Sequence, residues 1–301
     1  MSSRVNQDDL WDGLRTSWLR HLRARLLAPK TQKIYLQAAE RFCSHLGAVP
    51  AAAVTNKHVE AFLVDYAATR APATVSQTYR ALQQFFNWLV SEDEIATNPT
   101  ERMKAPTVPE TPVPVLSEDD LKAMLAACAG ATFTARRDTA ILRLLIDTGG
   151  RLAEISNLAV DDLDLDERTA TVIGKGQRQR TLPFGLTTAE SLDRYLRLRR
   201  GNAHARQPAL WLGASGRGPM LPGGIYQMVR RRGQLAGIPD IHPHMFRHTA
   251  SHRWLAAGGN EGDLMSINGW RSRSMLTRYA ASAASERARD AHARLALSDK
   301  L

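Results

Sequence analysis

Four prolines, Pro106, Pro109, Pro112 and Pro114, fall between Lys104 and Val115. Each lacks a backbone N–H and holds φ close to one value, so a stretch this dense cannot continue a helix. It favours an extended, semi-rigid connector. The chain is thereby expected to divide into residues 1–105, a proline-rich linker over 106–115, and residues 116–301. A length of 301 residues with 44% hydrophobic content suits two packed domains or one large one, and is too apolar for a disordered chain.

The segment before the linker reads as helices. Leu10, Leu14, Trp18, Leu22 and Leu26 recur at helical spacing, as do Ile34, Ala38 and Phe42. A third run follows Thr55 through Val59, Phe62, Leu63 and Tyr66. A fourth passes from Thr74 through Leu82, Phe85, Phe86 and Leu89 to the stop at Asn98-Pro99. These stripes predict the core of a small helical bundle. After the linker, Ser117-Glu118-Asp119-Asp120 has the form of an N-cap with an acidic first turn. A helix over Asp138–Thr148 and another from Arg151 precede Thr169–Ile173, which is rich in β-branched residues. Gly174-Lys175-Gly176, a polar stretch and Thr181–Phe184 complete a β-hairpin with a basic tip. Helices return at about 188–200, 222–236, 243–257, 261–268 and 273–280. The predicted class is mainly α with a small β-sheet.

Lys and Arg number 40 against 30 acidic residues, a formal net charge of +10. Such an excess favours a polyanion, because each neutralised phosphate releases condensed counterions. Arginine clusters such as Arg199-Arg200 and Arg230-Arg231-Arg232 strengthen that reading, since a guanidinium can hold two phosphate oxygens at once. A basic soluble surface is the blander alternative. Cys43 and Cys128 lie far apart among apolar residues and read as buried thiols. The N-terminus has no apolar signal core and no run is long enough to span a bilayer, so the expected location is cytoplasmic, with no membrane partner.

Four segments carry candidate chemistry. In Thr148-Gly149-Gly150-Arg151-Leu152-Ala153-Glu154, an arginine opening a helix behind a Gly-Gly turn can face an anion, with Glu154 holding its guanidinium. An ordinary surface i,i+3 ion pair fits the same residues. Lys175, between glycines, can approach a backbone closely and donate a proton, although turn lysines are common. In His242-Pro243-His244-Met245-Phe246-Arg247-His248, His244 and Arg247 share a helix face. An imidazole there can move a proton beside a phosphate-holding guanidinium. Three histidines in seven residues also raise zinc, but no Glu or Cys completes a ligand set nearby, and no metal is expected. The last segment runs from Gly269-Trp270-Arg271 to Arg278-Tyr279. A phenol needs cationic neighbours or a base before it becomes a nucleophile, and a lone tyrosine is more often a packing residue.

Together these segments resemble the tyrosine recombinase (phage integrase) family, most closely its Xer-like members. The family's signature order, Arg, Lys, His-x-x-Arg, His or Trp, Tyr, stands here as Arg151, Lys175, His244, Arg247, Trp270 and Tyr279. The resemblance covers nearly the whole chain. It implies a helical N-terminal core-binding (SAM-like) domain and a mixed α/β catalytic domain, clamped around double-stranded DNA. It implies a site-specific recombinase or integrase in which Tyr279 forms a 3′-phosphotyrosine link. Arg151 and Arg247 would grip the non-bridging oxygens, Lys175 protonate the leaving oxygen, His244 handle the nucleophile's proton, and Glu154 support the site. No cofactor is implied, and the working unit would be a tetramer on two DNA sites.

Two positions depart from the commonest pattern. Trp270 stands where most members have His; an indole can donate a hydrogen bond but cannot shuttle a proton. Gly150 replaces a usually bulky residue, and extra looseness of that turn is the expectation. The helix near Gly224–Gly237, with Gln227, Arg230, Arg231 and Arg232, is expected to touch DNA, the arginines gripping phosphates and Gln227 or an arginine reading bases. A solvated basic face is the alternative there. The segment Glu286–Leu297 would dock on a neighbouring subunit or pack in cis. Two rival functions share many of these features: type IB topoisomerase-like strand relaxation, and a catalytically decayed sequence-specific DNA-binding protein.

Overall fold

The computed structural model describes residues 7–109, 114–174, 178–214, 216–273, 275–276, 288–289 and 292–293, with only the backbone at 7–10. Lys175, Tyr279 and nearly all of Glu286–Leu297 lie outside the described residues. The chain divides into two compact units, Met1–Thr111 and Pro112–Leu301.

The first unit is a bundle of four helices, α1 (Gln7–Ala24), α2 (Pro29–Leu46), α3 (Asn56–Ala67) and α4 (Pro72–Ser91). Proline opens both α2 and α4, where its missing N–H has no partner to lose. The helical stripes meet as one aromatic-rich core in which Trp18, Leu22, Phe42, Phe62, Leu82, Phe85, Phe86 and Leu89 are buried. Leu26 departs from its stripe. Helix α1 ends at Ala24, Leu26 takes φ of 52°, and its side chain faces solvent. The periodicity continued past the point where the backbone turned.

The second unit begins with α5 (Glu118–Ala126), where Ser117 Oγ accepts from the Asp120 amide at 3.0 Å and Asp120 accepts from the Ser117 amide at 2.9 Å. This reciprocal cap is the one legible in the sequence. Helix α6 (Phe133–Thr148) is the spine, with Ile141, Leu144 and Leu145 fully buried and with α5, α8 and α10 packed around it. Short helix α7 (Leu152–Ser156) follows. Next come strands β1 (Leu163–Asp164), β2 (Thr169–Gly174) and β3 (Arg178–Pro183), antiparallel in the order β1-β2-β3. The polar stretch expected to separate two hydrophobic strands is itself strand. Arg178, Gln179 and Arg180 pair with Gly174, Ile173 and Val172. Helices α8 (Leu186–Arg199), α9 (Pro222–Leu235), α10 (Pro243–Ala256) and α11 (Glu261–Asn268) complete the described elements.

Cys43 and Cys128 are both buried, and burial pushes their thiols up to about 12 and about 11. They are inert packing residues. Among the described residues, no helix is long and apolar enough to cross a membrane.

Candidate active site

The site is organised around the turn between α6 and α7. Gly149 closes α6 with φ of 58°, and a Cβ there would lie 3.1 Å from Ala250 Cβ and 3.3 Å from Arg247 Cα. Glycine is required on both counts, and its absence of a side chain lets the turn press against α10. The Gly150 amide donates to Thr148 Oγ1 at 3.1 Å. The looseness expected at Gly150 is not found. A Cβ added there would meet Ile155 Cδ1 at 2.6 Å and Leu182 Cδ1 at 3.2 Å, so the side chain of Ile155 fills the space.

Arg151 is the N-cap residue of α7. Its backbone N–H donates to Glu154 Oε2 and its Nη1 to Glu154 Oε1, both at 2.8 Å. The guanidinium remains 38% exposed while the carboxylate is 4% exposed. The i,i+3 ion pair and the anchored, outward-facing arginine are therefore the same object. A second arginine, which the sequence reading passed over, completes it. Arg180 on β3 donates from Nη1 and Nη2 to the two Glu154 oxygens at 2.7 Å each, and from Nε to the Ile267 carbonyl at 2.8 Å. Burial raises the Glu154 pKa, but hydrogen bonds from Arg180 and Arg151 outweigh it and hold the carboxyl at about 2. The signal for Arg180 in the sequence was its place five residues beyond Lys175 on the hairpin, but a basic polar stretch gives no hint of inward aim.

Arg247 lies on α10 and is 2% exposed. Its Nη1 donates to the Gly149 carbonyl at 2.9 Å and its Nη2 to the Asn268 carbonyl at 2.8 Å. Its Cζ sits 5.4 Å from the centroid of the Trp270 ring. One guanidinium thus ties the glycine turn to the end of α11 and stacks on Trp270. Trp270 itself is buried with Leu255, Leu264 and Leu276. His244 is exposed on α10, and its ring meets that of the buried His248 edge-on at 4.4 Å. Among the described residues no group of three or more His, Cys, Asp or Glu is placed to hold a metal ion.

The basic helix α9 splits its residues. Ile225, Met228, Val229 and Gly233 face the core; Gln227 and Arg231 are exposed and Arg230 is half-buried. Arg232, grouped with them in the sequence, points inward. Its Nε and Nη2 donate to Asp138 Oδ2 at 3.0 and 2.7 Å, and its Nη1 to the Ala127 carbonyl at 2.7 Å. Asp138 also receives Nε and Nη2 of Arg137, whose Nη1 reaches the Leu212 carbonyl at 2.9 Å. Arg232 is thus an internal strut and not part of the solvent-facing basic surface of α9.

Arg151, Glu154, Arg180, Arg247 and Trp270 are therefore gathered within the second unit around one glycine turn, with His244 on α10 one helical turn before Arg247. In a chain of net charge +10, a fixed and partly exposed guanidinium of this kind suits an anion such as a phosphate. The phage integrase family profile matches residues 114–286, and the phage integrase N-terminal SAM-like domain profile matches residues 14–95. Tyrosine recombinase XerC of Roseiflexus castenholzii (strain DSM 13941 / HLO8) is 31% identical over 253 residues, covering 80% of each chain. Among solved structures, the Tn1549 transposon integrase in complex with transposon right end DNA is similar with a TM-score of 0.75. It is 21% identical, over 94% of this chain and 99% of that one. A lambda integrase tetramer bound to a Holliday junction has a TM-score of 0.70 and 16% identity, over 87% and 77% of the two chains. These two likenesses are of fold. The chain belongs to the phage integrase family, as a Xer-like tyrosine-type site-specific recombinase. The topoisomerase-like and decayed-binder readings are not favoured.

Proposed function

We propose that the chain cleaves and rejoins double-stranded DNA with Tyr279 as nucleophile, acting as a tetramer on two sites. The observation that carries this reading is the exposed Arg151 guanidinium, held from behind by Glu154 and following the glycine turn to which the buried Arg247 is hydrogen-bonded. A fixed cation at such a place stabilises charge that builds on a phosphate during displacement without reorganising first.

The Tyr279 oxygen attacks the scissile phosphorus and the bond to the 5′-oxygen breaks. The products are a 3′-phosphotyrosine and a 5′-hydroxyl. The phenol's proton passes toward His244, and Lys175 supplies the proton to the leaving oxygen. Rejoining runs the same steps backward with a 5′-hydroxyl of the partner strand, so the bond energy stays in the covalent link. Arg151 and Arg247 neutralise the non-bridging oxygens, and Trp270 supports Arg247 by stacking and positions the phosphate. Residues 1–105 and 116–301, joined by the linker, each bind the DNA. Gln227, Arg230 and Arg231 meet the DNA on α9. The solved lambda integrase tetramer on a Holliday junction supports the assembly by likeness of fold. A DNA substrate of this kind implies a cytoplasmic place of action.

A duplex nicked beside the scissile phosphate tests the reading, because loss of the short leaving strand traps the covalent product. Wild-type protein is expected to become attached to DNA, and Tyr279→Phe to bind equally and never attach. An adduct formed by Tyr279→Phe would falsify the choice of nucleophile.

A further inference from the structure

Arg180 is committed to protein partners through all three of its nitrogens. Its Nη1, Nη2 and Nε are directed to Glu154 Oε1, Glu154 Oε2 and the Ile267 carbonyl, and its side chain is 12% exposed. Gly269 fits against it, since a Cβ there would lie 3.4 Å from Arg180 Cδ. What Arg180 joins is more informative than what it is. Its own strand, β3, is the return strand of the hairpin. Glu154 belongs to α7, and Ile267 is the next-to-last residue of α11, three before Trp270.

The charges give the reason. Without Arg180, the Glu154 carboxylate would face Arg151 alone and the pair would sum to zero. A cation cancelled by its own buried partner attracts a phosphate weakly. With Arg180 taking both carboxylate oxygens, the three groups sum to +1, and the unit of charge lies at the exposed member, Arg151. We infer that Arg180 is a positioning residue for strand cleavage: by pairing with Glu154 it leaves the charge of Arg151 available to the scissile phosphate and holds α7 against the end of α11. This rests on the proposed reading of Arg151 as a phosphate ligand. An ammonium cannot replace the fork, because a lysine offers one point charge where three directed N–H groups are in use.

The test uses the nicked duplex in two forms, one with an ordinary scissile phosphate and one with a methylphosphonate there, which removes a negative charge that Arg151 has to neutralise. On the phosphate, Arg180→Ala and Arg180→Lys are expected to form adduct more slowly by about a hundredfold or more, as Arg151→Ala does, with DNA binding kept. On the methylphosphonate, the deficit of all three should shrink together. The double variant Arg151→Ala/Arg180→Ala should be no slower than Arg151→Ala, since the second residue acts through the first. The inference is overturned if Arg180→Lys cleaves the phosphate at the wild-type rate. It is also overturned if the Arg151→Ala deficit shrinks on the methylphosphonate while that of the Arg180 variants does not. Failure of both Arg180 variants to fold, by circular dichroism, assigns the residue to stability alone and likewise overturns it. Wild-type cleavage by Arg151→Ala would instead remove the reading of the site on which the inference stands.

Discussion

Glu154 and Asp138 are both carboxylates held between arginines in the same unit, and they are put to different use. Asp138 is fully buried and hydrogen-bonded by Arg137 and Arg232, at 5% and 15% exposure, each with its Nη1 turned to a carbonyl; Arg231, 58% exposed, stands 3.7 Å away as a looser third partner. It staples the start of α6 to α9. Glu154 is nearly as deep, but one of its two arginines, Arg151, faces outward. The difference lies in where the hydrogen-bonded cations point. A closed cluster, with both hydrogen-bonded arginines turned inward, is scaffold; an open one, with one of them facing outward, presents a fixed positive group to solvent and to an anion.

The largest expected effect breaks the closed cluster. Asp138→Ala leaves two largely buried guanidiniums without their anion and should cost about 3–5 kcal/mol of stability, read by chemical denaturation. Any cleavage lost by that variant should return once the folded fraction is corrected for. Arg151→Ala should do the reverse. Adduct formation should fall by about 10²–10³-fold while the melting temperature changes little, because the side chain is already partly in solvent. Equal damage to stability in both variants would erase the distinction between the clusters.

Gly150→Ala comes next. The added methyl meets Ile155 and Leu182, and overpacking of this kind costs about 1–3 kcal/mol, to be measured as a shift in the denaturation midpoint. Pairing it with Ile155→Val, which frees a methyl's worth of space, should recover part of the loss.

The smallest difference near neutrality is in acid response. The Glu154 carboxyl is held at about 2, below its ordinary 4.5, so the native state binds its proton less readily than the unfolded chain does. Its contribution is therefore complete above the ordinary carboxylate range and is lost as pH falls from there towards about 2. Glu154→Gln should flatten the stability curve over that window and leave its shape near neutrality unchanged. A variant with the wild-type acid slope would remove Glu154 from that titration.

Much of this was readable in advance because it is local. The Ser117–Asp120 cap, the buried face of α4, and the Arg151–Glu154 pair are all set by residues three or four apart, where helix geometry alone brings side chains together. What was misjudged is long-range. Arg232 looked like a member of a basic face, yet its partner Asp138 is 94 residues away. Arg180 fell in the polar stretch of the hairpin, yet it reaches Glu154 across 26 residues and Ile267 across 87. Gly150 was expected to be loose because it replaces a usually bulky residue, yet the side chains of Ile155, five residues on, and Leu182, on β3, close over it.

The sequence by itself determined the helical bundle, the hairpin, the class of chemistry and the order in which its residues appear. Periodicity, turn residues and motif spacing need no knowledge of distant contacts. Only the tertiary structure decided which arginines are offered to an anion and which are buried as struts. The choice between Arg151 and Arg232 depends on where a distant carboxylate comes to rest once α6, α9 and the sheet have packed.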